Sequence, residues 1–202
     1  MVSDGTSKVT YIDPYTAVVP TDEGARLHRF ESFGKIPRLN KPVVVTEKID
    51  GTNAQVYVYE DGLVLAGSRN RYLSIDNDNF GFARWVADNA DELRKLGPGR
   101  HFGEWWGQGI QRGYGLKEKR FSLFNVAKWG KNPDRPACCH VVPILAEAST
   151  IGSPSIGGCL DMLAEYGSIA VKGYDNPEGI VVYHAASNQL FKWTFDDNAK
   201  GN

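Results

Sequence analysis

A run of β-branched residues that ends in a lysine constrains the fold of this chain more than any other feature. Residues 43–46 read Val-Val-Val-Thr, which is typical of a strand buried on at least one face. Lys48 follows at the end of this predicted strand, between the carboxylates of Glu47 and Asp50, and Gly51 indicates a turn directly after it. Because strands that run out into water commonly end in a solvated lysine, this motif alone does not indicate chemistry.

Strand patterns separated by turn residues recur along the rest of the chain. Residues 55–59 and 63–67 alternate or run apolar on either side of a Glu-Asp-Gly turn, which predicts a β-hairpin. A second hairpin is predicted near the end, where Ala-Ala-Ser-Asn separates residues 179–184 from 189–195. Further strand-like segments lie at 101–106, 120–127 and 141–145. Because hairpins join many of these strands, we expect mainly antiparallel sheets.

Three segments are predicted to be helical. Apolar residues at helical spacing extend from Asp76 to Leu96, where Gly-Pro-Gly ends the pattern. Residues 156–166 form a second predicted helix, and residues 21–30 form a short third one with Thr21 as its N-cap. Residues 1–20 are expected to form an irregular arm or an edge strand. The predicted fold class is therefore α+β, with mainly antiparallel sheets flanked by helices.

Composition limits the classes of protein to which this chain can belong. With 202 residues, of which 42% are hydrophobic, we expect a single domain spanning residues 1–202. The net charge of −1 excludes a global basic field, so any nucleic-acid binding must come from a local patch. Cys138 and Cys139 are adjacent and lack the Cys-x2-Cys spacing of a zinc site. The sequence has no apolar run of about 18 residues, so we expect a soluble, cytoplasmic protein with no membrane partner.

Five clusters of residues with side chains suited to catalysis or ligand binding lie on predicted strands or at their ends. They are residues 47–53 (Glu-Lys-Ile-Asp-Gly-Thr-Asn), 68–69 (Ser-Arg), 102–107 (Phe-Gly-Glu-Trp-Trp-Gly), 177–182 (Pro-Glu-Gly-Ile-Val-Val) and 191–194 (Phe-Lys-Trp-Thr). Each has an ordinary structural explanation when taken alone, such as a paired carboxylate or a surface lysine with a buried stem. Their joint occurrence in this order is far more specific than any one of them.

Together the five clusters resemble the motifs of the covalent nucleotidyltransferase superfamily, which includes ATP-dependent RNA ligases, ATP-dependent DNA ligases and mRNA capping enzymes. The resemblance covers roughly residues 30–195 and is greatest to the phage-type RNA ligases that seal nicks in duplex RNA. Lys-x-Asp-Gly at 48–51 is shared by the superfamily, whereas Glu47 before it and Thr-Asn after it favour the RNA ligase branch. Residues 33–37 also look like that branch. The resemblance implies the nucleotidyltransferase fold of a ligase adenylation domain.

The resemblance implies a three-step reaction. ATP reacts with Lys48 to give lysyl-AMP, AMP moves to a 5′-phosphate end, and a 3′-hydroxyl then displaces AMP. Attack by Lys48 requires a neutral amine, which is rare for a free lysine with a pKa of ~10.4 and is favoured by burial or a nearby divalent cation. Carboxylates suit Mg²⁺ or Mn²⁺, so Glu104 and Glu178 are the predicted metal ligands. Lys192 would supply a fixed positive charge at the α-phosphate.

The remaining predicted site residues surround the nucleotide. The planar guanidinium group of Arg69 can donate hydrogen bonds to a ribose hydroxyl or a phosphate. Phe124 is the predicted stacking partner of the base, and Phe121, on the opposite face of the strand, is the second choice. The resemblance makes Lys48, Asp50 and Lys192 catalytic and assigns nucleotide binding to Glu47, Ile49, Gly51, Asn53, Arg69, Glu104, Phe124, Glu178 and Lys192. It places Glu47 near the base and gives Asn53 a part in strand sealing.

Two departures from the family pattern affect this prediction. The last motif of these ligases usually carries two lysines one residue apart, but here the second position is Thr194. The chain continues for about eight residues after Thr194, so we expect no C-terminal OB-fold or helical appendage. Nucleic-acid ends would then contact a local basic surface, for which the candidates are Arg26, Arg29, Lys35, Arg38, Lys41, Arg112, Lys117, Lys119, Arg120, Lys128 and Lys131.

The sequence leaves several functions open. An ATP-dependent RNA ligase is the main prediction, with nucleic-acid ends as partner and RNA favoured over DNA. An ATP-dependent DNA ligase with the same chemistry is the nearest alternative, and a capping guanylyltransferase would use GTP. A non-catalytic module that binds nucleic-acid ends would also keep the fold, and adenylation of a protein or a small molecule is a further alternative. A phage or bacterial repair setting is an analogy from the fold family alone.

Overall fold

A computed structural model describes residues 9–148 and 156–196 of the chain. The chain divides into two compact units, Met1–Pro37 and Arg38–Asn202. The single domain expected over residues 1–202 stays a prediction.

The first unit is a three-stranded antiparallel sheet. Its strands are β1 (Thr10–Asp13), β2 (Thr16–Thr21) and β3 (Gly24–Arg29), in that order. The helix predicted at residues 21–30 is therefore wrong. Thr21 pairs with Gly24, so the two acidic residues between them form a hairpin turn instead of the first turn of a helix. The arm predicted at residues 1–20 contains two strands, and residues 1–8 lie outside the described residues.

The second unit contains two sheets. Its strands are β4 (Val43–Lys48), β5 (Thr52–Val58), β6 (Val64–Ser68), β7 (Tyr72–Leu73), β8 (Gly99–Gly107), β9 (Lys119–Leu123), β10 (Cys139–Val141), β11 (Ile144–Ala148), β12 (Gly179–His184) and β13 (Gln189–Thr194). The six-stranded sheet has the order β10-β9-β8-β5-β6-β7, and the four-stranded sheet has the order β11-β4-β12-β13. Among these strands β9 and β10 pair in parallel and the other pairs are antiparallel. The predicted α+β class with mainly antiparallel sheets is confirmed.

The predicted helix from Asp76 to Leu96 is wrong in its continuity. The segment forms α1 (Phe82–Asp88), α2 (Ala90–Leu93) and a 3-10 turn at Arg94–Leu96. Asp78 accepts hydrogen bonds from two backbone N–H groups of the first turn of α1, which fixes where that helix begins. Asn89, at φ −112° and ψ 15°, breaks the helical backbone between α1 and α2.

Two other predicted strands differ from the structure. The strand expected at 120–127 ends at Leu123, because Asn125 caps the short helix α3 (Val126–Trp129) by accepting a hydrogen bond from the Lys128 N–H. The strand expected at 141–145 is split between β10 and β11, which belong to different sheets, with Pro143 between them. The helix expected at 156–166 is confirmed as α4 (Ile156–Tyr166), as are both predicted hairpins.

Each sheet packs one face against a helix, and part of the opposite face of the six-stranded sheet is also buried, at Trp106. The six-stranded sheet packs against α1 through a core that includes Phe82, Trp105 and Phe121. The four-stranded sheet shares a second core, which includes Val45 and Leu163, with α4. Because successive side chains of a strand alternate between faces, the buried positions leave Lys48 of β4 and Glu104 of β8 on the faces opposite these cores.

The helices of the described segments are short. None of them, within residues 9–148 and 156–196, is long and apolar enough to cross a membrane.

Candidate active site

Lys48 is the last residue of β4, beside the start of β12. Gly179 lies between Lys48 and Thr194, because it pairs with Lys48 of β4 on one side and with Thr194 of β13 on the other. A side chain at Gly179 would lie 2.1 Å from the Trp193 carbonyl oxygen, and the glycine has φ 150°. The close approach of β12 and β13 therefore requires glycine at this position. It brings the Pro-Glu-Gly cluster directly against the lysine.

The Lys48 ammonium group forms an ion pair with Glu178. Its Nζ donates to Glu178 Oε1 at 2.5 Å, and the two side chains are 23% and 15% exposed. Burial raises the pKa of Glu178, while the lysine opposes that shift. Glu178 Oε2 is buried and has no hydrogen-bond partner within the described part of the chain. An unpartnered buried carboxylate oxygen is costly, so this atom is suited to a cation.

The turn after β4 is fixed by its neighbours on β8 and on the loop that follows β8. A side chain at Gly51 would lie 2.5 Å from the Trp105 carbonyl oxygen, so only glycine fits there. The Asp50 N–H donates to the Tyr114 hydroxyl at 2.8 Å. The Asp50 carboxylate accepts from Arg112 Nε at 3.1 Å. These contacts fix both the backbone and the side chain of Asp50.

The six-stranded sheet contributes Glu104 and Asn53 to the site. The two residues are directly paired across β5 and β8, and Asn53 Nδ2 donates to Glu104 Oε2 at 3.3 Å. Glu104 is 7% exposed. Burial raises the pKa of Glu104 to about 7, and the nearby Lys48 charge opposes the shift. No local sequence pattern indicates this pKa shift, because it depends on desolvation in the folded chain.

Lys48 and Glu104 line one cavity of about 470 Å³. The other lining residues are Gly51, Thr52, Asn53, Ser68, Arg69, Asn70, Arg71 and Asn79. Three of the five sequence clusters thus meet in a single cavity. Asn70, Arg71 and Asn79 were missed in the sequence because each looks like an ordinary loop residue. Asn79 Nδ2 donates to the Thr52 hydroxyl at 3.1 Å, which ties the loop before α1 to β5.

The structure distinguishes between the two candidate stacking residues. Phe121 is fully buried and packs against Phe82, with ring centroids 5.3 Å apart. Phe124 lies just beyond β9 and is 39% exposed. Its N–H donates to the Phe102 carbonyl. Phe124 therefore follows Ser122, the cross-strand partner of Glu104, on the same face of the sheet as Glu104. Phe124 is therefore free to stack on a base and Phe121 is not, although the stacking itself stays a prediction.

Glu47 lies on the face of β4 opposite Lys48. It is 1% exposed, and its carboxylate accepts hydrogen bonds from the Ser168 hydroxyl at 2.5 Å and from the N–H groups of Ile169 and Ala170 at 2.8 and 2.9 Å. Burial raises the pKa of Glu47, and these hydrogen bonds oppose the shift. The carboxylate thus anchors the loop after α4. Its predicted place near the base stays a prediction, as does the nucleotide-binding role of Ile49, which is buried beside Trp106.

Lys192 and Thr194 lie on the same face of β13. Lys192 pairs with Val181 and is exposed, whereas Thr194 is 4% exposed. The position at which these ligases usually carry a second lysine is therefore buried here. The roles predicted for Lys192, Asp50 and Arg69 stay predictions.

Several residues of the predicted basic surface interact within the protein. Arg112 contacts Asp50 and Asp196, Arg120 contacts Glu118, and the Lys119 Nζ donates to the Phe80 carbonyl. Arg112 is only 13% exposed. It is a structural part of the site and not of an open surface for nucleic acid.

The carboxylates of the site suit a divalent cation. No group of three or more His, Cys, Asp and Glu side chains placed to hold a metal occurs within residues 9–148 and 156–196. Two carboxylates face the site from different sheets, Glu104 with a pKa raised by burial and Glu178 with an unpartnered oxygen. Hard carboxylate oxygens with remaining positions for water and phosphate are the usual setting of Mg²⁺, so Glu104 and Glu178 fit this group.

Comparison with known proteins identifies the family of this chain. The sequence profile of the RNA ligase family matches residues 41–194, which is more than half of the chain. The chain therefore belongs to the RNA ligase family. A search of curated proteins gave no match.

Solved structures of an RNA ligase from Naegleria gruberi have a similar fold. A mutant without ligand matches at 22% identity with a TM-score of 0.53, covering 81% of this chain and 52% of that protein. A mutant with ATP and Mn matches at 20% identity with a TM-score of 0.57, again covering 81% and 52%. A mutant with AMP and Mn matches at 21% identity with a TM-score of 0.53 and the same coverage. The chain spans about half the length of this ligase. At these identities the similarity shows the fold.

Proposed function

We propose that this chain carries out the nucleotidyl-transfer chemistry of an ATP-dependent RNA ligase and acts through AMP linked to Lys48 Nζ. The observation that carries the proposal is the Lys48–Glu178 ion pair, at 2.5 Å, at the end of a buried strand. Membership of the RNA ligase family supports the reaction class. The Naegleria ligase structures with ATP or AMP and Mn support the choice of nucleotide and metal.

The first step requires Lys48 to lose a proton. In the structure its ammonium group donates to Glu178 Oε1. In this proposal Lys48 releases the proton to solvent, because Glu178 is also assigned to the cation. The neutral Nζ then forms a bond to the α-phosphorus of ATP, and the bond from this phosphorus to the bridging oxygen breaks, so that pyrophosphate leaves.

The remaining residues bind and orient the nucleotide in this proposal. Arg69, on the wall of the cavity, contacts ribose or phosphate, and Phe124 stacks on the base. Lys192 places its positive charge at the α-phosphate. Glu104 and Glu178 would hold Mg²⁺ or Mn²⁺, which when bound neutralises negative charge on the phosphates.

The later steps transfer AMP to a nucleic-acid end and then release it. The 5′-phosphate of one strand attacks the α-phosphorus of lysyl-AMP, and Lys48 leaves. The 3′-hydroxyl of the other strand then attacks that 5′-phosphate, forming the phosphodiester and releasing AMP. We assign this sealing step to Asn53, which donates a hydrogen bond to Glu104.

Covalent labelling tests the first step. The purified protein is incubated with α-labelled ATP or GTP and Mg²⁺ and run on a denaturing gel, beside Lys48→Ala and a control, Lys95→Ala. Lys95 is an exposed lysine that also pairs with a glutamate at 2.5 Å. We expect label from ATP in the wild type and in the Lys95 variant, and none in Lys48→Ala. Label from GTP instead would favour a capping guanylyltransferase.

Strand sealing separates the substrate alternatives. Nicked duplexes with a 5′-phosphate, made of RNA or of DNA, are supplied to the labelled protein. Faster sealing of RNA is the expected result, and faster sealing of DNA would favour the DNA ligase alternative. Folded protein that takes no label, and that mass spectrometry shows to be free of AMP, would contradict the enzyme proposal. End affinity that is unaffected by Lys48→Ala would then indicate a binding module.

A further inference from the structure

The loop that joins β8 to β9 lies outside the five sequence clusters but contacts two of them, at Asp50 and at Trp106. It contains two residues, Gln111 and Tyr114, that are not glycine and have φ of 45° and 53°. Tyr114 is 1% exposed and Ile110 is fully buried, so the loop is packed into the protein at both positions. Backbone strain of this kind persists only where surrounding contacts enforce it, and it clusters at functional sites.

Arg112 lies between these strained residues and directs its guanidinium group to three acceptors. Nε donates to Asp50 Oδ2 at 3.1 Å, Nη1 donates to Asn176 Oδ1 at 2.7 Å, and Nη2 donates to Asp196 Oδ2. Nη1 also lies 3.4 Å from the Asn176 carbonyl oxygen. All three guanidinium nitrogens are therefore used.

The three acceptors belong to the ends of the three strands that carry the proposed chemistry. Asp50 is two residues from Lys48, and Asn176 is two residues from Glu178. Asp196 follows two residues after Thr194, at the end of the strand that holds Lys192. One guanidinium group thus links the ends of β4, β12 and β13 from the side of the six-stranded sheet.

Tyr114 strengthens this link at one of the three points. Its hydroxyl accepts the Asp50 N–H, and its ring packs against Trp106 and Tyr174 with centroids 5.0 and 4.5 Å apart. The loop therefore holds the Asp50 backbone through Tyr114 and the Asp50 side chain through Arg112. Its two contacts leave the turn after Lys48 little freedom to move.

We propose that Arg112 is a positioning residue for nucleotidyl transfer. It holds the Lys48–Asp50 turn, the strand end that carries Glu178 and the strand end that carries Lys192 in a single arrangement. The expected effect of Arg112 on the rate of nucleotidyl transfer rests on the proposed function. Its expected effect on the mobility of the three strand ends rests on the hydrogen bonds alone. A lysine at position 112 would keep the charge but could not serve three acceptors in a plane.

Step-resolved kinetics test the kinetic consequence. Arg112→Gln and Arg112→Lys are compared with the wild type in single-turnover formation of lysyl-AMP over a range of ATP concentrations. A misplacement of about 1 Å lowers the rate by on the order of 100-fold. We expect a loss of that order in the maximal rate for Arg112→Gln, with ATP half-saturation changed less than about threefold, and only partial recovery in Arg112→Lys. A wild-type rate in Arg112→Gln would overturn the proposal while leaving the function intact.

Arg94→Gln is the matched control for these variants. Arg94 also joins two segments, by donating to Asp91 and to the Gly62 carbonyl, but it lies away from the site. A double variant gives a second internal check, because Arg112→Gln and Asp196→Asn remove the same contact. Their effects on the maximal rate should therefore not multiply. Full multiplication would show that Arg112 does not act through the end of β13.

Hydrogen exchange tests the structural consequence without catalysis. Peptides that cover residues 46–53, 176–182 and 190–196 should all exchange faster in Arg112→Gln than in the wild type, and those of Arg94→Gln should not. This readout stands even if the wild type takes no label, so failure of the proposed function and failure of this inference are distinguishable. Unchanged exchange in these three peptides would overturn the positioning role.

Discussion

Replacement of Glu104 by glutamine should make the protein more stable, by an amount that depends on pH. Burial raises the pKa of this carboxyl from the 4.5 of an ordinary glutamate to about 7, whereas in the unfolded chain it returns to its usual range. Between these two values the folded protein holds a proton that the unfolded chain has lost. The stability contributed at Glu104 is therefore full below about pH 4.5 and falls as pH rises through about 7.

The size of this effect follows from the pKa difference. A pKa raised from 4.5 to about 7 corresponds to about 3 kcal/mol of unfolding free energy. Glu104→Gln has no proton to lose, so its advantage over the wild type should be about 3 kcal/mol larger at pH 8.5 than at pH 4. Other groups titrate in both proteins. The difference in unfolding free energy between Glu104→Gln and the wild type therefore isolates the contribution of Glu104.

Urea unfolding at these two pH values measures the difference. With a slope of about 1–3 kcal/mol per molar urea, the midpoint of Glu104→Gln should gain roughly 1–3 M on the wild type between pH 4 and pH 8.5. Glu60→Gln is the control, because Glu60 is an exposed carboxylate in the turn after β5. A difference between Glu104→Gln and the wild type that does not change with pH would refute the reasoning.

Divalent cation provides the second half of the same test. Under the proposed function, a charged Glu104 destabilises the folded protein when no cation is bound and stabilises it beside a bound cation. Mg²⁺ should therefore stabilise the wild type at pH 8.5. Stabilisation should be much weaker at pH 5, where the proton and the cation compete for the carboxylate. Glu104→Gln should gain little at either pH. Equal stabilisation of both proteins would remove Glu104 from the predicted metal site.

Three further predictions concern single residues. Glu47→Ala leaves a hydroxyl and two N–H groups without an acceptor and should lower the unfolding free energy at pH 7 by roughly 3 kcal/mol, whereas a neutral result would contradict the anchoring of the loop after α4. Phe124→Ala should raise the ATP concentration for half-maximal labelling roughly 10-fold without loss of stability. Phe121→Ala should instead lower the unfolding free energy by about 3–5 kcal/mol, and the reverse pattern would exchange the roles of the two residues. Gly51→Ala should slow lysyl-AMP formation by on the order of 100-fold, because its Cβ would press on the Trp105 carbonyl, and a wild-type rate would show that the turn can shift freely.

The elements that the sequence predicts well are those in which local pattern and tertiary role agree. The Val43–Lys48 run is buried on one face and bounded by proline and by a glycine turn, and it forms β4 at the expected residues. The same agreement gives α4 and the β12–β13 hairpin. The predicted chemical residues lie on strands or at their ends, and the pairing of β4 with β12 and of β5 with β8 then places Lys48 beside Glu178 and Asn53 beside Glu104.

Other predicted elements are wrong because hydrophobic periodicity indicates which residues are buried but not whether one helix runs through all of them. Ala83, Val86 and Leu93 are all buried, as the helical spacing predicts, but Phe80 is exposed and Asn89 leaves the helical region before Leu93. At residues 24–29 the acidic pair before the segment fits a helix cap and a hairpin turn equally well. The pairing of Thr21 with Gly24 decides for the turn, and no local signal carries that information.

Interactions between distant parts of the chain set the limit of prediction for the site. Glu47 and Lys48 are neighbours in sequence, and the resemblance assigned both to the nucleotide. Strand alternation places them on opposite faces, so Glu47 binds a loop 121 residues away while Lys48 faces the cavity. Arg112 shows the converse case. In the sequence it belongs to a series of basic residues that suggests a phosphate-binding surface, yet in the structure its charge is used by Asp50 and Asp196. Its position is set by a loop in which two residues adopt unfavourable backbone angles, a conformation that local propensity argues against. A residue whose role depends on such strain can be recognised only once the contacts that enforce the strain are known.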